Sequence, residues 1–252
     1  MKLLIAIVSC HSRPGFSQLI RETWGPIVKG ADLKFFMGCG PNQPLEDEVV
    51  LNCDDSYSGL PDKVRAIVRW SLEHGYDYIL KCDDDVVIVP DAMLSSDFHK
   101  YDFVGCADPA VKTGEILTPW GFCYWLSHRA MELVANAPLP GELGSTHAYV
   151  HNNDEAWVST VLYVNKIFLH GDERYYLHRG KLEIPKVETD GRRSLRPNRL
   201  HKSYTEKPIP VGTFAFCVHL NWKGWHATPE EELHDEFRKI FVREVNKPIV
   251  SA

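Results

Sequence analysis

Apolar runs and helical repeats alternate along the first hundred residues of the chain. Buried strands are predicted at residues 2–9, 33–37, 49–51 and 77–81, and helices at residues 16–24 and from Pro61 onward. The helix that begins at Pro61 places its apolar side chains on one face, at Val64, Ile67, Val68 and Leu72. Strands that alternate with helices predict an α/β fold with a mixed, mostly parallel sheet flanked by helices.

The second half of the chain is patterned less regularly. Strands are predicted at residues 120–127, 165–170 and 214–220, and helices at residues 129–136, 155–163 and 229–243. Residues 171–208 are polar and read as a loop. A loop of this length inside a compact domain is typically a functional lid or disordered.

Three consecutive carboxylates, Asp83, Asp84 and Asp85, lie between two apolar runs. On an extended backbone Asp83 and Asp85 share a face, and two carboxylates about 4 Å apart repel by up to about 4 kcal/mol at an effective dielectric constant of about 20. A divalent cation relieves that repulsion, and hard oxygen ligands select Mg²⁺ or Mn²⁺. A solvated acidic turn is the alternative, but such turns have polar flanks. Because ligands bind beyond the carboxyl ends of strands in such sheets, we predict a metal site here.

Composition and charge are those of an ordinary globular protein, and they argue against a few specialised classes. The chain has 252 residues, is 44% hydrophobic and 25% charged, and carries a net charge of −6, so no overall basic field favours nucleic acid. Its seven cysteines are never spaced as Cys-x-x-Cys, which suggests neither a zinc site nor a disulfide framework. The apolar run at residues 3–8 is shorter than that of a signal peptide, and no run is long enough to span a bilayer. We therefore expect a cytoplasmic protein without a membrane partner.

Other motifs accompany the triplet in a characteristic order. They are Arg21-Glu22-Thr23-Trp24, then Asp55-Ser56-Tyr57-Ser58-Gly59-Leu60 with Lys63, then Lys81-Cys82-Asp83-Asp84-Asp85, and finally the acidic pair Asp154-Glu155. In this order and spacing the chain resembles the β-1,3-galactosyltransferase and Fringe-type glycosyltransferases, over roughly residues 12–165. The resemblance implies a GT-A fold, a UDP-sugar donor, Mn²⁺ (or Mg²⁺) and inversion at the anomeric centre. It departs from the family at Ser159, where glycine is usual, and in a glycine-rich segment that keeps only Gly121. The membrane anchor and sequons of the Golgi members are not found either, so the resemblance implies a relative in the cytoplasm of a microbe or a virus-infected host cell.

The resemblance also implies roles for single residues. Asp85 is implied as the main metal ligand, Asp83 as a ligand to the metal or the ribose, and His219 as the residue that closes the metal site; His170 and His226 are the alternatives to His219. A histidine in an apolar strand is more often a core residue than a ligand, and only the resemblance makes the two roles equally good interpretations of His219, so this choice stays open. The residues implied on the nucleotide side are Arg13, Arg21, Asp55, Lys63, Asp83 and Asp84.

An inverting displacement needs a carboxylate that accepts the proton of the acceptor hydroxyl. Asp154 and Glu155 begin a predicted helix, where the helix dipole favours their ionised form. Asp154 is slightly favoured as the base, although the motif alignment supports Glu155 equally well. A structural role for Asp154 as the helix N-cap is as good an interpretation.

The resemblance predicts one catalytic domain over residues 1–252. About residues 1–110 form its nucleotide-sugar-binding half, and about residues 111–252 form an acceptor-binding half with a flexible basic loop at 171–208. Within that loop, residues 191–204 carry five Lys and Arg side chains and no acidic one. These fit a solvated loop, a lid over the donor diphosphate, or a grip on an anionic acceptor.

The acceptor is therefore predicted to be a glycan or an anionic polymer. Nucleic acid is one such polymer, for example DNA with 5-hydroxymethylpyrimidines in phage DNA modification. Two other functions remain open. A Mg²⁺-dependent nucleotidyltransferase or phosphohydrolase also uses acidic residues at strand ends, and a non-catalytic module could bind a nucleotide sugar without turning it over.

Overall fold

The computed structural model describes residues 1–41, 43–113, 116–142, 153–172, 174–178, 215–218 and 230–245. Its strands are β1 (Leu3–Val8), β2 (Asp32–Met37), β3 (Glu48–Val50), β4 (Tyr78–Asp83), β5 (Val86–Ile88), β6 (Phe103–Thr113), β7 (Ile116–Ser127), β8 (His170–Gly171), β9 (Tyr175–His178) and β10 (Ala215–Val218). Its helices are α1 (Pro14–Glu22), α2 (Leu60–Glu73), α3 (Pro90–Leu94), α4 (His128–Asn136), α5 (Asp154–Val164) and α6 (Glu230–Glu244). No helix in these ranges is both long and apolar enough to cross a bilayer.

Seven strands form the main sheet in the order β3-β2-β1-β4-β7-β6-β8. The pairings β3–β2, β2–β1, β1–β4 and β6–β8 are parallel, whereas β7 runs antiparallel to both β4 and β6. The predicted α/β fold with a mixed, mostly parallel sheet is confirmed. Because β1, β2 and β4 run in the same direction, their carboxyl ends meet at one edge of the sheet.

Helices cover both faces of this sheet. Along β1 the side chains alternate between two hydrophobic clusters, with Ile5 and Ile7 in one and Leu4 and Ala6 in the other. The first cluster includes apolar side chains of α1 and α6, and the second includes those of α2, α4 and α5. A central strand that is buried on both faces is expected to be apolar throughout, as β1 is.

The chain leaves the main sheet at the acidic triplet. Asp83 ends β4, Asp84 and Asp85 form a turn, and β5 then joins a second sheet of order β5-β10-β9. The alternation of side chains on an extended backbone does not apply to Asp83 and Asp85, because the backbone turns at Asp84 and Asp85 between the two sheets. The turn is nevertheless not solvated, since Asp84 and Asp85 are 5% and 3% exposed.

Two predicted elements of the second half are also wrong. Residues 165–169 do not form a strand, because they close the end of α5: Ile167 N–H donates to the Leu162 carbonyl, and Lys166 has a φ of 63°. Only His170–Gly171 is a strand there. The predicted loop 171–208 begins instead with β9, which pairs in parallel with β10, and its residues from 179 onward lie outside the described ranges.

Candidate active site

The structure brings the acidic triplet and the acidic pair together. Asp83 ends β4, and Asp154 and Glu155 are the first two residues of α5. Lys81 lies between the two groups, with its Nζ atom 2.6 Å from Asp83 Oδ1 and 3.3 Å from Asp154 Oδ2. A carboxylate cluster with one buried cation therefore lies at the carboxyl end of a central strand.

Lys81 is 1% exposed, and its backbone lies opposite Tyr124 in β7. Its ammonium group also donates a hydrogen bond of 2.6 Å to the carbonyl oxygen of Gly121. Burial on its own lowers the pKa of Lys81, but the carboxylates of Asp154 and Asp83 outweigh burial and raise that pKa above its usual value. The side chain is therefore an ammonium ion in the folded protein.

Asp154 is turned toward the sheet. It is 2% exposed, and its Oδ2 atom accepts a hydrogen bond of 2.7 Å from the Tyr124 hydroxyl. The N-cap of α5 is Asn153, and Asp154 is the first helical residue. The interpretation of Asp154 as the helix N-cap is therefore wrong; its carboxylate instead pairs with Lys81 and Tyr124.

Glu155 is half-buried and lies against Gly121. A Cβ atom at position 121 would be 2.8 Å from Glu155 Oε2, so the glycine makes room for this carboxyl group. Burial and the neighbouring charge of Asp154 raise the pKa of Glu155 to about 8, although Lys81 acts in the opposite direction. Glu155 can thus exchange a proton near neutral pH.

Asp83 and Asp85 are the two carboxylates of the triplet that the sequence predicts as metal ligands. The side chain of Asp83 is 33% exposed. Burial raises its pKa, Lys81 opposes that effect, and the charge of Asp85 adds to it. This mutual repulsion is what a divalent cation relieves, and two carboxylates suit a hard ion that takes its other ligands from phosphate oxygens and water.

Histidine ligands are not found among the described residues of the cluster. No three His, Cys, Asp or Glu side chains in the described ranges are grouped as a complete metal site. His219 and His226 lie outside those ranges. His170 lies on the edge strand β8, with β6 and β7 between it and β4, and it stacks on Tyr101 with ring centroids 3.5 Å apart. The structure therefore does not bring His170 to the triplet.

Asp84 faces β1 and α1. It accepts a hydrogen bond of 2.9 Å from Ser9 Oγ, which lies 2.8 Å from Ser17 Oγ. Burial raises the pKa of Asp84 to about 7, and the charge of Arg13 opposes this. Arg13 precedes α1, and its guanidinium carbon lies 4.5 Å from the ring centroid of Phe16. These contacts fix the turn that carries Asp85.

Asp55 and Lys63 form a buried ion pair that joins three elements. Asp55 accepts hydrogen bonds from the backbone N–H groups of His11 and Gly38, at 2.7 and 2.6 Å, and from Lys63 Nζ at 2.6 Å. Lys63 is 1% exposed and also donates to the Ser9 carbonyl. Burial acts to raise the pKa of Asp55, but these hydrogen bonds hold it below its usual value. The pair thus fixes the loops that follow β1 and β2.

Arg21 lies farther from the carboxylate cluster. Its guanidinium group pairs with Asp47 at 2.8 Å and with Glu48 at 2.7 Å, and it lies over the ring of Phe35. Burial lowers the pKa of Arg21, whereas Asp47 and Glu48 raise it, with a net upward effect. Arg21 therefore connects α1 to the start of β3.

Sequence reasoning did not assign Lys81 and Tyr124 to the site. A signal for Lys81 was present, because a lysine within an apolar strand needs a buried counter-charge. Tyr124 lies in an aromatic run that reads as core, and only its register opposite Lys81 brings it to Asp154. No local pattern in the sequence identifies that register.

Comparison with known proteins supports the fold. No protein-family model matches the chain, and no curated protein matches it in sequence. Among solved structures, the chain is similar to a glycosyltransferase involved in the glycosylation of the major capsid of PBCV-1, with 10% identity, a TM-score of 0.54, and coverage of 95% of this chain and 100% of that one. It is also similar to the galactosyltransferase LgtC in complex with donor and acceptor sugar analogues, with 10% identity, a TM-score of 0.51, and coverage of 99% and 98%.

At 10% identity these likenesses establish architecture and not activity. The narrower resemblance to the β-1,3-galactosyltransferase and Fringe-type enzymes stays a prediction, since neither neighbour is described as one. The chain has the GT-A-type fold of these glycosyltransferases.

Proposed function

We propose that the protein is an inverting, metal-dependent glycosyltransferase that moves a sugar from a UDP-sugar to an acceptor hydroxyl. One observation carries this proposal: a pair of metal-type carboxylates and a carboxyl group suited to proton transfer lie in one cluster bridged by Lys81. Departure of UDP requires stabilisation of negative charge, and activation of the acceptor requires removal of a proton. The two parts of the cluster match these two requirements.

On the donor side, Asp85 and Asp83 would hold the metal ion. When bound, such an ion stabilises the charge that develops on the diphosphate leaving group. We assign Asp55 and Lys63 to shaping the loops after β1 and β2 that would face the nucleotide, because they fix His11 and Gly38 directly. Asp84 and Arg13 hold the triplet turn from the side of α1, and Arg21 supports the same edge of the sheet more remotely.

On the acceptor side, we assign the base to Glu155 and a positioning role to Asp154. Asp154 already accepts a hydrogen bond from Tyr124 and pairs with Lys81, which leaves its carboxylate little access to a substrate. Glu155 is half-buried and has a pKa raised to about 8, close to the operating range of a general base at neutral pH. This reverses the slight preference for Asp154 that the sequence suggests.

We assign the two substrates to different halves of the chain. Residues 1–110 would bind the nucleotide sugar, and residues 111–252 would bind the acceptor. A glycan acceptor is favoured because one structural neighbour is a glycosyltransferase involved in the glycosylation of the major capsid of PBCV-1, and the other is a galactosyltransferase crystallised with donor and acceptor sugar analogues. The feature that favours DNA is the basic segment 191–204, which lies outside the described residues.

A screen of UDP-sugars for Mn²⁺-dependent UDP release, with and without glycan and DNA acceptors, tests the proposal. We expect release with at least one UDP-sugar, and we expect Asp85→Asn to abolish the Mn²⁺-stimulated part because a charged ligand is lost. Turnover of nucleoside triphosphates with no UDP-sugar turnover would establish the nucleotidyltransferase or phosphohydrolase instead. UDP binding without release of UDP from any UDP-sugar would indicate a non-catalytic module.

A further inference from the structure

A single side chain connects the metal side of the cluster to the base side. Three oxygen atoms surround the Lys81 ammonium: Asp83 Oδ1 at 2.6 Å, the Gly121 carbonyl at 2.6 Å and Asp154 Oδ2 at 3.3 Å. Asp83 belongs to β4 in the donor half, whereas Gly121 and Asp154 belong to β7 and α5 in the acceptor half. Two of the three N–H donors of the ammonium group are hydrogen-bonded, to Asp83 and Gly121, and its charge also pairs with Asp154.

Each of the three contacts constrains a part of the site. Asp83 is one of the two carboxylates assigned to the metal ion. Gly121 is the residue whose missing side chain makes room for the Glu155 carboxyl group. Asp154 is the first residue of α5 and directly precedes Glu155. The distance from the metal site to the base is therefore defined through the Lys81 nitrogen.

The positive charge of Lys81 also affects metal binding. Lys81 and a metal ion would both be partners of the Asp83 carboxylate, so the ammonium group competes with the ion for that ligand. Lys81 is 1% exposed, and in such surroundings the charge–charge interaction is only weakly screened by solvent. A side chain that only filled space between strands would have neither effect.

We propose that Lys81 is a positioning residue that aligns the base with the metal site and, at the same time, weakens metal binding. This inference rests on the proposed function for its catalytic part. Its electrostatic part concerns only the affinity of the protein for the metal ion, which can be measured without turnover.

The test replaces the ammonium group with an uncharged chain of similar length, Lys81→Met. Mn²⁺ alone should bind the variant more tightly than the wild type in a calorimetric titration, because the competing cation is gone. With a UDP-sugar that the wild type uses, kcat should fall by about 10²-fold, the effect of a misplacement of about 1 Å. The KM for the UDP-sugar should stay nearly unchanged, since Lys81 is assigned no contact with the donor.

Two lysine variants serve as matched controls. Lys63→Met removes another lysine that is 1% exposed and pairs with a carboxylate at 2.6 Å, but in a pair that does not include Asp83 or Asp154. It should not tighten Mn²⁺ binding. Lys100→Met removes a surface lysine whose side chain is 57% exposed and pairs with Asp97, and it should change neither Mn²⁺ binding nor kcat.

Removal of a buried partner can also unfold a protein, so a second variant is included. Lys81→Met/Asp154→Asn removes both charges of one pair and is expected to fold where the single variant does not. It should also bind Mn²⁺ more tightly than Asp154→Asn alone.

Equal or weaker Mn²⁺ binding in the folded Lys81 variants, or kcat within a few-fold of the wild type, would overturn the inference. A wild-type protein that binds Mn²⁺ but transfers no sugar would refute the proposed function, and the binding measurements would still decide the electrostatic role of Lys81.

Discussion

Asp154 and Glu155 are neighbours in the chain, but their carboxyl groups have different surroundings. Asp154 is 2% exposed and is already engaged by Tyr124 and Lys81. Glu155 lies over Gly121 and has a pKa raised to about 8 by burial and by the charge of Asp154. Substitution of the two residues is therefore expected to have different consequences, one mainly for chemistry and the other mainly for structure.

Glu155→Gln should lower kcat by a factor of about 10² to 10⁴, the usual range for loss of a general base, and leave the free energy of unfolding at pH 7 undiminished. Asp154→Asn should lower kcat less, but it should lower the free energy of unfolding by about 1–3 kcal/mol because Lys81 loses a counter-charge. Initial rates and urea unfolding of both variants measure the two effects. The opposite ranking of the kcat values would return the role of base to Asp154, and two small effects would place the base elsewhere.

Gly121 offers a more selective test of the position of the base. In Gly121→Ala the new Cβ atom would meet Glu155 Oε2 at 2.8 Å and its Cδ atom at 2.9 Å. The end of a glutamate side chain can move aside, so the fold should persist while the carboxyl group is displaced. We expect kcat to fall at least tenfold with little change in urea unfolding, since small misplacements near a reacting atom are costly.

Gly141→Ala is the control for that substitution, because a Cβ atom there would have no neighbour within 4 Å. It should leave kcat unchanged. If Gly121→Ala is as active as Gly141→Ala, the Glu155 carboxyl group is not where the reaction needs it.

At the scale of elements, the Asp55–Lys63 pair holds the carboxyl ends of β1 and β2 against α2. Asp55 accepts two backbone N–H groups and the Lys63 ammonium, all within 2.7 Å. Lys63 is 1% exposed, so loss of its partner would leave a buried charge uncompensated. The ends of these strands are the loops that we assign to the nucleotide.

Asp55→Asn should therefore lower the free energy of unfolding by about 3 kcal/mol in urea titrations at pH 7. Asp55→Asn/Lys63→Met should recover part of that loss, because both charges are then absent. Asp97→Asn, in the surface pair with Lys100, should leave the unfolding midpoint nearly unchanged. A double variant that is less stable than Asp55→Asn would contradict this account and assign the effect to packing of the Lys63 side chain.

Elements with a regular apolar pattern, such as β1 and α2, are predicted correctly from the sequence. In β1 and α2 every apolar position has a place in one of the two clusters, so local pattern and tertiary burial agree. The failures lie where a short apolar stretch is compatible with two structures. Ile167 and Leu169 suggested a strand, but the end of α5 and the positive φ of Lys166 decide that segment.

The sequence predicts which carboxylates belong to the candidate site, but it does not predict which side chains contact them. The triplet and the acidic pair stand out because carboxylates beside apolar runs are unusual. The choice between Asp154 and Glu155 depends on Tyr124 and Lys81, which are 30 and 73 residues from Asp154 in sequence. Such contacts come from strand register and helix placement, which periodicity alone does not determine.

At the scale of the whole molecule, the carboxylate cluster couples folding to pH. Burial and the charge of Asp154 raise the pKa of Glu155 to about 8 in the folded protein, whereas an unfolded chain releases this proton near pH 4.3. Between these values the folded state binds more protons than the unfolded state. The free energy of unfolding contributed by this group is therefore complete below about pH 4.3 and is lost progressively as the pH rises to about 8.

Urea unfolding in EDTA at a series of pH values from 5 to 9 measures this effect. We expect the contribution of Glu155 to lower the free energy of unfolding with rising pH by at most about 5 kcal/mol, since each tenfold change in the acid dissociation constant corresponds to about 1.4 kcal/mol. Asp84, whose pKa burial raises to about 7, adds to the slope in the same direction. Glu155→Gln should flatten the slope, and Glu132→Gln, at a side chain that is 60% exposed, should not. Saturating Mn²⁺ should also flatten it, because a cation at Asp83 and Asp85 favours the ionised form of the neighbouring carboxyl groups. A slope that is the same in the wild type and Glu155→Gln would mean that the pKa of Glu155 is not raised. The choice of Glu155 over Asp154 as the base would then rest only on the contacts of Asp154 with Tyr124 and Lys81.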